Sequence, residues 1–396
     1  MQTGKNKYLT WAIILMPILS LYGFRSIGMD FGTINLIIAF MCACGKKQKV
    51  VLDISKYKFW IIYIVYVVAS IIFPYVNLHM QNTGIPQTLK NIVLIGILLI
   101  CVSNHMVNSN YLIKMYLQVA KIATVFIIIQ TLVYHIFHLI VPGYGNILLM
   151  SPSYAEGITQ VVGGLYRPTS LFYEPAHYFE YMLPALVILL FGNYSLMPKN
   201  IFFSMFISLG VILSGSGMGI LTIVGCWGLW CIKNIKEWKI EKNVLITCGL
   251  FLMLGVIFLQ TSYAKMVFGR VFGNANVSYT AVNGRMDIYK NIFQQNIYGV
   301  LFGNGYGNTI GTLYYPNWAF NIWCLGIIGG LIILMIYSNE FRKCKEEYQK
   351  VLLGLNLFLC LGTTLFMGKY IIFYFIFIMN EVEESAKYER IGCYNC

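Results

Sequence analysis

Apolar runs long enough to cross a lipid bilayer recur along almost the whole chain, and this recurrence limits the fold more than any single residue does. Crossing the hydrocarbon layer takes roughly 20 residues of helix. Such runs occupy residues 8–24, 28–44, 58–76, 89–104, 115–140, 176–192, 200–213, 217–232, 243–260, 317–338, 351–367 and 370–384. Within lipid each backbone polar group must be satisfied inside its own segment, so the runs are expected as α-helices. Composition agrees: 58% of the 396 residues are hydrophobic and 11% are charged, against roughly 25% charged in soluble domains. The expected fold is an all-α polytopic membrane protein, a single integral membrane domain over 1–396 with about 12 transmembrane helices. Residues 351–384 form either two short helices broken at Gly368-Lys369 or one long tilted helix, which makes eleven spans the alternative.

A net charge of +13 would point to nucleic acid in a soluble protein. Here the positive residues alternate between loops, as the positive-inside rule requires, and no nucleic-acid partner is expected. With the N-terminus inside, Lys5, Lys7, Lys46, Lys47, Lys49, Lys56, Lys58, Lys233, Lys236, Arg342, Lys343 and Lys345 share the cytoplasmic side. Arg25, Lys90, Arg167, Lys265, Arg270, Arg285, Lys290 and Lys369 face the other side. No cleavable signal peptide is evident, because the first apolar run leads straight into further spans. The two long outer loops, 141–175 and 261–316, contain no cysteine, so no disulfide framework is expected there. Cys393-x-x-Cys396 is a single pair at the chain end and fits a tail better than a metal site.

Charges are scarce enough in this chain that a cluster of them calls for a reason. Leu165 to Glu180 holds Arg167, Glu174, His177 and Glu180 where a polar loop meets an apolar helix. Pro175 suits the first turn of that helix, which puts Glu174 at its N-terminus, where a carboxylate is favoured. His177 is three residues on, on the same face. A carboxylate beside an imidazole at a wet bilayer rim can deprotonate a sugar hydroxyl; alternatively Glu174 is a cap and His177 an interfacial residue. Glu180 lies deeper, where a charge is costly and faces a cavity or a partner.

The second outer loop is cationic: Lys265, Arg270, Arg285 and Lys290 oppose Asp287. Phosphate is one reason for positive charge outside, since Arg grips phosphate oxygens bidentately; a solvated loop or contact with anionic lipid is the other. A helix is expected over 285–297, followed by a tight turn at Gly303-Asn-Gly-Tyr-Gly-Asn308. That glycine run is not a nucleotide loop, because no strand precedes it and no Walker lysine follows. Gly215 and Gly219 have the spacing of close helix packing, and the pair His135 and His138 is too small for a metal site.

Four stretches in order, Arg167-Pro-Thr-Ser-Leu-Phe-Tyr-Glu-Pro175, Leu213-Ser-Gly-Ser-Gly-Met-Gly-Ile-Leu221, Gly284-Arg-Met-Asp-Ile-Tyr289 and Leu301-Phe-Gly-Asn-Gly-Tyr-Gly307, carry a resemblance. The chain resembles the O-antigen polymerase family of bacterial membrane glycosyltransferases, within the O-antigen ligase/polymerase superfamily. The resemblance covers about 160–310 in motif and the whole chain in topology. It implies a GT-C-like helical bundle in the bacterial cytoplasmic (inner) membrane. It implies polymerisation of undecaprenyl-pyrophosphate-linked oligosaccharide repeat units into O-antigen, capsule or exopolysaccharide at the outer face. Membrane lipid, a chain-length regulator and a flippase are the partners it implies, and pyrophosphate binding would fall to Arg167, Arg270 and Arg285, with Lys290 beside them. Ligases of the superfamily typically carry an essential His in the later outer loop, and 261–316 has none.

The chemistry is compatible. A lipid pyrophosphate leaves with negative charge, which outer arginines can stabilise. The acceptor hydroxyl needs a base: Glu174 is the first choice, with His177 or Asp287 behind it. No carboxylate cluster or His/Cys set marks a metal site, so no cofactor and metal-independent transfer are expected. The competing class is a flippase for the same lipid-linked oligosaccharide, which would need charges along a central cavity. The few charges concentrate in the outer loops, with Asp30, Lys121 and Glu180 the main exceptions.

Overall fold

A computed structural model describes residues 6–24, 29–47, 49–73, 84–143, 161–162, 165–192, 198–236, 249, 253, 260–273, 281–309 and 315–381. In chain order the helices are α1 (Lys7–Leu19), α2 (Phe31–Gly45), α3 (Lys58–Ala69), α4 (Ile85–Ser103), α5 (Ser109–Phe137), α6 (Pro175–Phe191), α7 (Pro198–Leu213) and α8 (Gly217–Lys236). The second long loop holds α9 (Ser262–Phe272), α10 (Ala281–Phe293) and α11 (Ile297–Phe302). Then follow α12 (Asn317–Lys343), α13 (Glu347–Leu359) and α14 (Lys369–Met379). The expected span 243–260 lies outside the described residues except at 249, 253 and 260.

The molecule is a predominantly helical membrane-type protein. By length and composition α4, α5 and α12 can cross a membrane, and several shorter apolar helices accompany them. Two antiparallel strand pairs interrupt the all-helical pattern. β1 (Gly23–Phe24) pairs with β2 (Met29–Asp30), with Gly23 opposite Asp30; β3 (Val161–Val162) pairs with β4 (Leu165–Tyr166), with Val161 opposite Tyr166. Helix starts follow their sequence signals. Asp30 caps α2 by accepting from Thr33 N–H at 2.7 Å, Asn108 caps α5 through Tyr111 N–H at 2.9 Å, and Glu346 with Gln349 forms a capping box on α13. Such caps satisfy backbone donors that a helix end leaves open.

One end of the bundle, here the near end, is tied by polar contacts between distant segments. Lys343 Nζ donates to Lys56 O at 2.6 Å, Ser109 Oγ to Glu381 O at 2.9 Å, and Gln349 Nε2 to Asn380 O at 3.2 Å. At the centre stand α6 and α14, whose side chains are buried almost all round, as expected of a helix enclosed by others. They run parallel: the rings of His177 and Tyr370 are 6.3 Å apart, those of Tyr181 and Phe373 stack at 5.0 Å, and Tyr374 OH donates to Glu180 O at 2.5 Å.

Three of the expected spans take another form. The helices within 351–367 and 370–384 have 13 and 11 residues, about 20 and 17 Å of rise, short of a ~30 Å hydrocarbon layer. The Gln349–Asn380 bond shows that α13 and α14 form an antiparallel hairpin entered and left at the near end. Its turn at 360–368 is mostly buried within the bundle, with Gly368 in the left-handed region at φ 50°. The expected span 317–338 is broken at Gly326 (φ 66°, ψ −173°). A Cβ on Gly330 would lie 3.8 Å from the Trp318 ring, although twelve residues of continuous helix would separate them by about 18 Å; the two arms of α12 therefore fold back on each other.

The carbonyls freed at the break are recovered by protein donors. Asn304 N–H reaches Trp323 O at 3.0 Å, Gly305 N–H reaches Cys324 O at 2.9 Å, and Tyr66 OH reaches Leu325 O at 3.0 Å. Non-helical backbone at membrane depth is tolerated only under such cover. The 303–308 turn is thus present as expected, with Gly303, Gly305 and Gly307 all at positive φ, and it seals α12. The helix expected at 285–297 is two helices, α10 and α11, separated at Gln294–Asn296.

Candidate functional site

The segment from Leu165 to Glu174 descends along α5. The Tyr166 and Tyr134 rings stack at 4.0 Å, and burial against this neighbour pushes the Tyr166 phenol up to about 12. Ser170 then turns with φ 54°. Its N–H donates to Gln130 Oε1 at 2.8 Å and its hydroxyl to Ala123 O at 2.6 Å, while Gln130 Nε2 donates to Val141 O at 2.8 Å. A Cβ on Gly143 would lie 1.5 Å from Ser170 O, so this crossing is open only to glycine. From Ala123 to the end of α5 is about 21 Å. The start of α6 is therefore enclosed in the bundle, where Tyr178 OH meets Thr124 Oγ1 at 3.2 Å. The expected position at a rim is corrected: Gln130, an uncharged residue inside an apolar helix, draws the loop inward.

Glu174 occupies the N-cap position of α6, yet its side chain makes no capping bond. Its charge acts elsewhere, within electrostatic reach of Lys369 and Glu180. Glu180 is 3% exposed and lies beside Tyr370, within electrostatic reach of Lys369 and Arg285. His177 sits between the two carboxylates on α6, against Tyr370 and within reach of Lys369. Lys369 Nζ stands 5.3 Å from the centre of the Tyr370 ring and is also within electrostatic reach of Asp30, which is ion-paired with Lys90. Five elements, β2, α4, α6, α10 and α14, thus bring charges of both signs to one place. Unpaired charges are costly in so apolar a bundle.

The turn leading into α8 forms the other side. Gly215 has φ 63°, and a Cβ there would stand 3.1 Å from Tyr263 OH and 3.4 Å from Arg167 Cγ. Tyr263, on α9, donates to Ile212 O at 2.8 Å and Leu213 O at 3.0 Å. Burial pushes its phenol up, and nearby Arg167 opposes this. The expected close packing applies to Gly219, whose Cβ would meet Phe179 Cγ at 3.0 Å; Gly215 instead forms the turn that seats Arg167. Arg285 comes in from α10. A Cβ on Gly362 would lie 3.4 Å from Met218 Cε and 3.8 Å from Arg285 Cδ. Tyr289, one turn on, donates to Leu361 O at 3.1 Å and is pushed up by burial. Arg167 and Arg285 therefore flank the same helix start.

Asp287 pairs with Lys290 at 3.4 Å on the outward face of α10, with side chains 33% and 73% exposed. Arg270 belongs to α9, but its side chain lies outside the described residues. His135 and His138 are exposed and pack edge-on to Tyr134. Among the described residues no three His, Cys, Asp or Glu side chains are grouped as metal ligands would be. Lys369, Tyr370, Tyr263 and Gln130 were not singled out as site residues by sequence reasoning. Lys369 carried a usable signal, as a lone positive charge between two apolar runs. The chain matches no protein-family profile and no curated protein sequence.

Proposed function

We propose that the protein is a membrane glycosyltransferase that polymerises undecaprenyl-pyrophosphate-linked oligosaccharide repeat units. In this reading the loop-rich end faces outward from a bacterial cytoplasmic membrane, the N-terminus is cytoplasmic, and a fresh unit accepts the growing chain. The observation that supports it most is the meeting of three sequence stretches at one place. The carboxylates that follow Arg167-Pro-Thr-Ser-Leu-Phe-Tyr-Glu174, the turn Ser214-Gly-Ser-Gly217 and Arg285 of α10 come from separate parts of the chain. Together they offer what the transfer needs, a base for a hydroxyl and positive charge for a departing pyrophosphate. Glu174 takes the acceptor proton, His177 lies one turn below it, and Arg285 and Arg167 bind pyrophosphate oxygens, with Arg270 on the same loop. Asp287, held by Lys290 on an exposed face, is the weakest of the three base candidates.

The test is elongation of lipid-linked repeat units by purified protein, with Glu174→Gln and Arg285→Ala as variants. Both should stop at the starting unit where the wild-type protein makes a ladder. If both variants make long chains at the wild-type rate, these residue roles are wrong.

The buried carboxylates Asp30 and Glu180, with the half-buried Lys90 and Lys369, favour a second reading, a flippase for the same lipid-linked units, because a transporter carries charges along its central path. The two separate in cells: loss of a flippase leaves the units on the inner leaflet, whereas loss of the polymerase leaves single units outside.

A further inference from the structure

The charged and titratable groups around the start of α6 come from several separate elements. Glu174, His177 and Glu180 lie on α6, and Lys369, Tyr370 and Tyr374 on α14. Arg285 reaches in from α10, Cys360 stands in the turn before α14, and Asp30 with Lys90 closes the side of α2 and α4. Lys90 is matched by Asp30, Arg167 stands beside Gly215, and Arg285 stands with the tip of Met218 beside Gly362. Lys369 is the cation that α14 carries to the two carboxylates. The parallel register of α6 and α14, fixed by the His177–Tyr370, Tyr181–Phe373 and Tyr374–Glu180 contacts, sets its position. Gly368, in the left-handed region immediately before Lys369, begins the helix and directs the chain into the bundle.

We infer that Lys369 is a positioning residue that keeps the Glu174–Glu180 pair charged and oriented, so that one of these carboxylates is available to accept a proton. The chemistry of the inference rests on the glycosyltransferase reading; the charge relation does not. An ammonium near two carboxylates favours their ionised forms, and its loss in a desolvated site favours proton uptake.

The first arm of the test needs no activity. Infrared difference spectra of the full-length protein in nanodiscs, recorded at neutral pH, compare the wild type with Lys369→Met and Lys369→Arg. A protonated-carboxyl band is expected to be stronger in Lys369→Met than in the wild type and in Lys369→Arg, and to weaken when Glu180→Gln is added to Lys369→Met. Identical carboxyl regions in all three proteins would overturn the inference, as would a Lys369→Met band that neither Glu180→Gln nor Glu174→Gln weakens. Should Lys369→Met fail to fold, Lys369→Gln carries the same comparison. The second arm measures elongation against pH. Lys369→Met should lose at least 10-fold at neutral pH and recover part of it as pH rises, while Lys369→Arg follows the wild-type profile. A uniform loss at all pH values would reduce Lys369 to a packing residue. If the wild-type protein elongates nothing, the glycosyltransferase reading fails and the infrared arm still decides the role of Lys369.

Discussion

The start of α6 and the outward face of α10 each carry acidic and basic residues at helical spacing, yet the protein uses them differently. On α6, Glu180 is buried and Glu174 and His177 are half-buried, and their neighbours come from other helices: Lys369 and Tyr370 from α14, Arg285 from α10. On α10, Asp287 and Lys290 find each other at i,i+3 in an exposed pair. Spacing alone does not distinguish the two cases. The difference lies in the rest of the fold, since a desolvated charge must be met by a partner from another element, while an exposed pair contributes about 0.2–1 kcal/mol and is screened by salt. α10 itself spans both regimes: Arg285 turns inward to Gly362 and Met218, two residues before Asp287 turns outward.

The comparison is broken or sharpened by substitutions on its two sides, the largest expected effect first. Glu174→Gln should lower the elongation rate by about 10²- to 10⁴-fold, the usual contribution of a general base, with little loss of thermal stability. Arg285→Ala should lower it by about 10²- to 10³-fold, as removal of a charge-stabilising donor does, whereas Lys290→Ala on the same helix should change it less than twofold. Equal losses from Arg285→Ala and Lys290→Ala would place both residues in one regime. Gly215→Val forces a β-branched residue into the left-handed region, which costs about 1–2 kcal/mol, and pushes on Arg167. Its melting temperature should fall by several degrees and its affinity for pyrophosphate should weaken, while Gly225→Val on the open face of α8 should leave both unchanged.

The smallest effects belong to the surface pair and to one phenol. Asp287→Asn should shift stability by at most ~0.5 kcal/mol. The Tyr166 phenol is raised to about 12 by burial, so the folded state favours its protonated form. That contribution is complete below the ordinary phenol value of about 10 and is lost as pH rises toward 12. Stability measured from pH 9 to 12 should therefore fall more steeply in the wild type than in Tyr166→Phe, and equal slopes would remove Tyr166 from the account.

Much of the architecture was legible because lipid permits few backbone forms. The apolar runs at 8–24, 28–44, 58–76, 89–104, 115–140, 176–192, 200–213 and 217–232 each coincide with a described helix. The charges of 167–180 were conspicuous for the same reason, since an ionisable residue in so apolar a chain is costly to retain. Depth was not legible. The inward path of 165–174 depends on a left-handed Ser170 and on Gln130, an amide that reads as one polar residue in a long helix. The break in α12 was hidden because Gly326 is one of three glycines within five residues, and glycine is frequent in membrane helices without breaking them. Two short helices broken at Gly368-Lys369 were expected, but the depth of their turn was hidden, because hydropathy reports an apolar run and not how far it reaches. With that depth unseen, Lys369 read as a residue of an outer loop. Its position at the bundle centre follows from the register of α14 on α6.

The proposed division of labour, carboxylates of α6 on one side and arginines around the first turn of α8 on the other, is tested most directly by reconstitution. Purified wild-type protein in liposomes, given only lipid-linked repeat units, should produce a ladder of lipid-linked polymers together with released undecaprenyl pyrophosphate. Liposomes in which the protein binds the units but neither a ladder nor free undecaprenyl pyrophosphate appears would contradict it, and movement of intact units between leaflets in the same vesicles would identify the protein as a flippase.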